Sequence, residues 1–183
     1  METESTPILK NSRPGRKRTP SLWGDVLYLL CKLALIGLAL AAVYFFLFGI
    51  LRYHDDDMDP AVRDGDLVIY YRLDQHFKTG DLVVYRYDHQ DYIGRVVAQG
   101  GDTVDIDERG LILNGSLQQE PYIYGSETEV YKNQTIFPLT VPQGQLFILA
   151  DHRKAAVDSR VFGTIAADRT EGKVFMILRR RNF

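Results

Sequence analysis

The chain has 183 residues, of which 45% are hydrophobic, 25% charged and 11% aromatic, and its formal net charge is −2. That length allows one ordinary domain plus an anchor, and the composition excludes wholesale disorder, a collagen-like repeat and a basic nucleic-acid-binding tail. The near-neutral total hides an asymmetry: residues 1–32 carry six Lys/Arg against three Asp/Glu, whereas residues 52–183 carry sixteen against twenty-one.

The first segment, 1–22, is polar and basic, with Pro7, Pro14 and Pro20, and reads as a disordered cytoplasmic tail in which Ser21 caps the helix to come. Because the basic residues lie directly before an apolar run, they are a topology signal and not a nucleic-acid patch. Leu33–Leu51 is free of charge for nineteen residues. At ~1.5 Å per residue it makes a helix of roughly 28 Å, close to the ~30 Å hydrocarbon core of a bilayer. Extended back to Trp23, it predicts a transmembrane signal-anchor over 23–51, with Lys32 snorkelling to the headgroups. A cleaved signal peptide would end at a small-residue site such as Ala39-Leu40-Ala41, but Val43–Phe48 continues the apolar run without a break. The reading is therefore an uncleaved single pass in the plasma membrane, N-terminus cytoplasmic, with residues 52–183 as an extracytoplasmic domain. Cys31, the only cysteine, falls in this span, permits no intramolecular disulfide and reads as a small apolar helix residue.

After Leu51 the texture changes to short β-type runs between turn residues: Leu67–Tyr71, Leu82–Tyr85, Tyr92–Ala98, Val104–Ile106, Leu111–Leu113, Phe147–Leu149, Gly163–Ile165 and Val174–Leu178. Asn114-Gly115 predicts a two-residue hairpin turn. Asp64-Gly65-Asp66-Leu67 is echoed fifteen residues later by Thr79-Gly80-Asp81-Leu82, which reads as two neighbouring strands of one sheet. Gln118–Pro138, polar and aromatic without clean alternation, reads as a long excursion. With no long amphipathic helix after the anchor, the fold class is mainly β.

Four segments in order carry a resemblance. Asp57-Met58-Asp59-Pro60 with Asp64-Gly65-Asp66 is similar to a Ser-Met-x-Pro and Gly-Asp turn just beyond a membrane helix; Thr79–Val84 is the second. Tyr92–Val104 is similar to a Lys-Arg-Val strand followed by Gly-Asp-x-Val, and Ala150–Gly163 to Gly-Asp-Asn-Arg-x-x-Ser-x-Asp-Ser-Arg-x-Phe-Gly. Together they resemble the type I signal peptidases, membrane-bound proteases with a Ser–Lys dyad, from about Leu33 to Gly163. The resemblance implies the signal-peptidase-I-type β-fold, a mostly antiparallel sheet system on one N-terminal transmembrane helix, with no cofactor.

The departures fall on the chemistry. Asp57 stands where the family has its nucleophilic Ser, Gly94 where it has the Lys base, and Ala156 where it has the Ser that orients that base. Asp158 and Arg160 of the Asp-Ser-Arg motif are intact, and the resemblance implies an architectural role for them. Gly94 has no group to accept a proton, a carboxylate is a poor nucleophile toward an amide, and Asp55, Asp56 and Asp57 would oppose a developing oxyanion. Asp55 and Asp57 share a face of an extended segment and so offer an aspartic-type pair. His54, the Asp run, Asp151 and His152 offer metal donors without diagnostic spacing. The reading adopted is a solvated acidic rim and no metal site. His76, His89 and Arg179–Arg181 read as surface residues, the arginines within reach of lipid headgroups.

The resemblance sets a binding groove between the strand around Gly94, Arg95 and Val96 and the segment Met58–Pro60, rimmed by Asp55, Asp56 and Asp57. Loss of the side chain at Gly94 is expected to open space there, so that an extended partner segment flanked by Lys or Arg adds as a strand. The expected function is that of a non-catalytic binding or chaperone factor. The same departures resemble those of Gram-positive signal-peptidase-like proteins found beside pilin and sortase genes in streptococci, which assist pilus assembly. They imply a pilin subunit or a sortase as protein partner, with the lipid bilayer as the other and no nucleic acid. Two alternatives stand beside this. One is a divergent but active signal peptidase cleaving secreted pre-proteins through Ser159 or a carboxylate pair; the other is a purely structural scaffold.

Overall fold

The computed structural model describes residues 22–123, 128–131, 134–154 and 156–179. Most of the basic tail and Arg180–Arg181 lie outside the described residues. The chain falls into two compact units that part between Ala41 and Ala42.

Helix α1, Leu22–Leu47, is long and apolar enough to cross a membrane. At 1.5 Å per residue its 26 residues reach about 39 Å. None of its residues is buried against protein, and Cys31 is exposed on it. The expected continuation of the span to Leu51 is corrected: Phe48–Arg52 is a strand, β1, paired antiparallel with β2, Leu67–Tyr71. Gly49 and the strand opposite it give the reason. Gly49 faces Tyr70 in the register, and a Cβ built on it would lie 2.1 Å from Tyr70 Cζ, so only glycine lets that ring cross β1. The Phe48 ring closes on Tyr71 at 5.3 Å, drawing the chain out of the helix onto the sheet.

The remaining elements are β3 (Leu82–Tyr87), β4 (Gln90–Gln99), β5 (Thr103–Asp107), β6 (Gly110–Leu113), β7 (Ser116–Leu117), β8 (Leu139–Thr140), β9 (Gln145–Leu149), α2 (Ser159–Phe162), β10 (Ile165–Ala166) and β11 (Thr170–Leu178). The fold is mainly β, as expected, and every ladder is antiparallel. Seven strands run β1-β2-β11-β3-β4-β9-β10 and four run β7-β6-β5-β8. The two echoed strands are not neighbours: β11, the last strand in the sequence, inserts between β2 and β3.

The Gly-Asp echo has a physical basis, and it occurs three times. Asp66, Asp81 and Asp102 each accept the backbone N–H of the residue three earlier (Arg63, Lys78, Gln99) at 2.8–3.0 Å. The intervening Gly65, Gly80 and Gly101 take φ of +84°, +96° and +99°, which an L side chain resists. Each clasp launches a strand: β2, β3 and β5. Asn114 and Gly115, at φ +52° and +79°, make the expected tight turn from β6 to β7.

The core lies on both faces of β4 and β9. Val96, Leu146 and Ile148 face Phe77, Val83 and Tyr85, while Val97, Phe147 and Leu149 face Val104, Ile106 and Leu111 of the smaller sheet. A third cluster, with Tyr53, Met58, Val62, Val68, Tyr70 and Ala156, sits beneath the loop that follows β1.

Candidate functional site

The loop from Tyr53 to Val62 is not extended, which corrects the expected placement of Asp55 and Asp57. It folds into turns closed by Asp59 N–H to Asp56 O at 3.0 Å and Val62 N–H to Met58 O at 2.9 Å. Met58 is fully buried, and its Sδ accepts the Asp151 N–H at 3.4 Å, while the His152 N–H donates to Asp57 O at 2.8 Å. The loop is thus stitched to Asp151–His152. The turn brings the carboxylates of Asp55, Asp56 and Asp57 within 4.8 Å of one another. Asp57, the most buried of the three, has its carboxyl pushed up to about 6, first by burial, then by the charges of Asp55 and Asp56. The Val157 backbone amide, which faces it, pulls the other way. Tyr53, buried beside them, has its hydroxyl pKa raised by burial and by the same three acids, Asp57 foremost.

Gly94 lies in β4 opposite Val83, and the space expected there is filled. A Cβ on Gly94 would meet Ile148 Cγ2 at 2.5 Å and Tyr85 Cε1 at 3.1 Å. The Tyr85 ring is fully buried, and its hydroxyl donates to Val157 O at 2.8 Å. Arg95 turns away to Asp151, to which Nε donates at 2.7 Å; the Asp151 side chain is fully buried. That pairing withdraws Asp151 from any metal-binding set with the Asp55–Asp57 run. Val96 is fully buried and is held on its other edge by β9, opposite Ile148. Buried Met58 and Val96, and occupied Gly94, cannot line an open groove, so the expected groove is displaced.

The opening lies nearer the β3–β4 hairpin. A cleft of about 340 Å³ runs between Arg52, His54 and Asp55 on one wall and Gln90, Asp91 and Tyr92 on the other. Residues 90–94 of β4 pair only with β3, because β9 joins β4 from Arg95 onward. One backbone edge of 90–94 therefore has no strand partner among the described residues. Pro60, exposed, accepts from Arg179 Nη2 at 3.1 Å and sits outside this cleft; Arg179 also reaches Asp66. His76 and His89 are exposed, as expected.

The segment that follows β9 packs against the turn of Asp57 and Met58. Ala156 is buried in the cluster with Met58 and Tyr53. Asp158 caps α2, accepting the Arg160 N–H at 3.0 Å, and its carboxylate also takes the Arg160 guanidinium at 2.8 Å, both side chains being essentially fully buried. Ser159 is fully buried and its Oγ accepts the Ile148 N–H at 2.9 Å, so its hydroxyl does not reach the surface. Arg153, which the sequence did not single out, is equally buried and pairs with Glu120 at 2.6 Å. The signal for it was present: an Arg between two acidic motifs, and a Glu at the head of the excursion. A separate hollow of about 630 Å³ lies along the excursion, lined by Ile106, Val130 and Ile136 among others.

Comparison with known proteins identifies the family. A family model for signal peptidase, peptidase S26, matches residues 26–179. Signal peptidase IB of Staphylococcus aureus is 31% identical over 164 residues, covering 76% of this chain and 85% of the relative. Signal peptidase I of Bacillus licheniformis is 31% identical over 125 residues, covering 63% and 67%. A crystal structure of a signal peptidase I from Enterococcus faecalis aligns at TM-score 0.46 and 27% identity, covering 55% of this chain and 97% of that one. With its apolar helix, its antiparallel sheets and a family match over most of its length, the chain belongs to the signal peptidase family, peptidase S26.

Proposed function

We propose that this protein is a membrane-anchored signal peptidase homologue that holds an extended partner segment without cutting it. The observation that carries this reading is the filled space at Gly94, where Ile148 and Tyr85 occupy the volume a basic side chain would need. With no base, Asp57 has nothing to activate a nucleophile, and three clustered carboxylates disfavour an oxyanion. The cleft keeps what binding by strand addition requires: a backbone edge on β4 without a strand partner among the described residues, across the cleft from the chain that leaves β1. The resemblance supports pilus assembly as the setting, with a pilin subunit or a sortase as partner. It also supports a topology with the N-terminus inside and the β-domain outside.

The test has two arms. Full-length protein in nanodiscs is incubated with a secreted pre-protein, and separately carries a photo-crosslinking residue at His54 or Gln90 in its host. Crosslinks to a pilus component without pre-protein processing are expected. Processing that disappears in Asp57→Ala overturns the reading; absence of any crosslink removes the cleft from it. A second reading, a carboxyl pair acting on the ligand, draws on Asp57 holding its proton up to about pH 6 beside two acids. Repeating the processing arm below that pH tests it.

A further inference from the structure

The two walls of the cleft belong to parts of the large sheet that do not pair with each other. Arg52, His54 and Asp55 lie on β1 and the loop that joins it to β2; Gln90, Asp91 and Tyr92 lie on β4, whose partner there is β3. Among the described residues β11 is the one strand that joins these parts, pairing with β2 along one edge and with β3 along the other. Neither ladder is unbroken. A bulge interrupts the first between Val174 and Met176 and the second between Thr170 and Gly172.

Charged side chains fasten β11 near both of its ends. Glu171 takes Arg72, which follows β2, at 3.5 Å and Arg86 of β3 at 3.3 Å. Arg86 in turn holds Asp91 of the cleft wall at 2.7 Å. Two residues on, Lys173 reaches Asp81, the clasp acid that launches β3, at 2.6 Å. Just past the strand, Arg179 reaches Asp66, the clasp acid that launches β2, at 3.4 Å. Arg179 Nη2 also donates to Pro60 O and Ala61 O, both at 3.1 Å, capping carbonyls of the turn that the loop makes before β2. The two echoed Gly-Asp clasps are thus answered by two cations from the strand between them. An apolar cluster that holds Tyr53 and Val68 with Val84 and Ile93 joins the two parts as well, and the stitch to Asp151–His152 ties down the loop's buried side. Arg179, half exposed, grips the loop from the solvent side.

We propose that Glu171 and Arg179 are positioning residues for the cleft, and that β11 sets its two walls relative to each other. Arg179 does so by holding the loop of one wall, and Glu171 by holding Asp91 of the other through Arg86. The cleft is then not formed until β11, made after both walls, has been inserted between β2 and β3. By the same coupling, a segment held between the walls would hold β11 in place. That the cleft takes a ligand rests on the function proposed above; that β11 sets it does not.

The test is amide hydrogen exchange in the full chain in nanodiscs, with paired spin labels as a second readout. The reporters in the loop are Val62 and Gly65, whose N–H groups donate to Met58 O and Tyr53 O. Arg179→Ala should speed their exchange about fivefold, the upper range for one part-exposed ion pair. Glu171→Gln, which breaks ion pairs outside the loop, should speed the same two amides about twofold. A role confined to those ion pairs would leave them unmoved. Labels at His54→Cys and Gln90→Cys, in a Cys31→Ser background, should show one narrow spacing across the cleft that widens in both variants. Arg109→Ala, on the β5–β6 turn, should change neither readout. A Glu171→Gln that leaves either readout unchanged overturns the proposal, as does an equal change in Arg109→Ala. Should the variants fold poorly, the unaltered protein decides: under rising denaturant the amides of β11, Val62 and Gly65 must open together, and separate openings refute the proposal. None of these readouts needs a ligand, so their failure is separable from failure of the crosslinking arm.

Discussion

Two stretches meet at Asp57 and are stabilised by opposite means. The loop from Ala150 to Arg160 is built on buried charge: Asp151 with Arg95, Glu120 with Arg153 and Asp158 with Arg160, all with both partners largely withdrawn from water. The strand around Gly94 is built on apolar packing, with Ile148 and Tyr85 pressed onto a bare backbone. The first stretch carries Asp158 and Arg160 of the Asp-Ser-Arg run, and the second carries Gly94, where the resemblance implies the family's base. A scaffold of interlocked ion pairs resists drift because the loss of one partner strands the other in the interior. A side chain next to apolar neighbours is replaceable once they grow into its place. The comparison teaches that neighbouring stretches of one domain can be held by means that differ in how readily they tolerate substitution.

The sharpest test strikes the charged stretch. Arg160→Ala leaves Asp158 buried and unpaired, and should lower stability by about 3–5 kcal/mol, read as a fall in thermal midpoint. A cost below about 1 kcal/mol would mean that the ion pairs are not what holds the loop. Next comes the packed stretch: Gly94→Lys forces Ile148 and Tyr85 aside and should cost about 1–3 kcal/mol. Combined with Asp57→Ser it should still fail to process a pre-protein, because the new lysine finds no room. Processing by that double variant would break the comparison outright.

Asp57→Asn probes the junction, and its sign follows from the raised carboxyl. Between the ordinary carboxylate range and about 6, the folded chain keeps a proton that the unfolded chain has released, so stability falls as pH rises through that window. Asparagine, which carries no charge, should therefore raise the thermal midpoint above about pH 6 and give no gain well below pH 4. Allowing for the part of Asp57 that remains exposed to water, the gain should be about 1–2 kcal/mol. The smallest effect sets the baseline. Arg109→Ala, in an exposed pair with Asp107 on the β5–β6 turn, should leave thermal midpoint and folding unchanged within error.

What was legible in the sequence was local. The Gly-Asp clasps and the Asn-Gly turn announce themselves because each is closed within four residues, and the strands they launch follow by alternation. The end of α1 was hidden, since Phe48–Leu51 is as apolar as the helix before it, and only Tyr70 across the sheet explains why Gly49 begins a strand. The insertion of β11 between β2 and β3 depends on pairing across a hundred residues, which no local pattern encodes. At the site, the residue types at 57, 94 and 156 were visible, but the meaning of Gly94 was not. An absent side chain predicts space; the structure supplies Ile148 from β9, on the neighbouring strand but more than fifty positions away. The coiling of Asp55–Asp57 into one cluster likewise depends on Met58 being drawn inward beneath Asp151.

The junction of α1 and β1 has one more consequence. No linker separates them: Leu47 ends the helix, its carbonyl accepts the Arg72 N–H at 2.9 Å, and Phe48 is already in the sheet. From the last helical residue to Arg52, on the cleft wall, is five residues, at most about 17 Å of extended chain. On the function proposed above, with α1 in the membrane, the cleft would work on a short leash and its search would be two-dimensional. A partner held in the same patch of membrane would then need only a modest intrinsic affinity, because its effective concentration is already high.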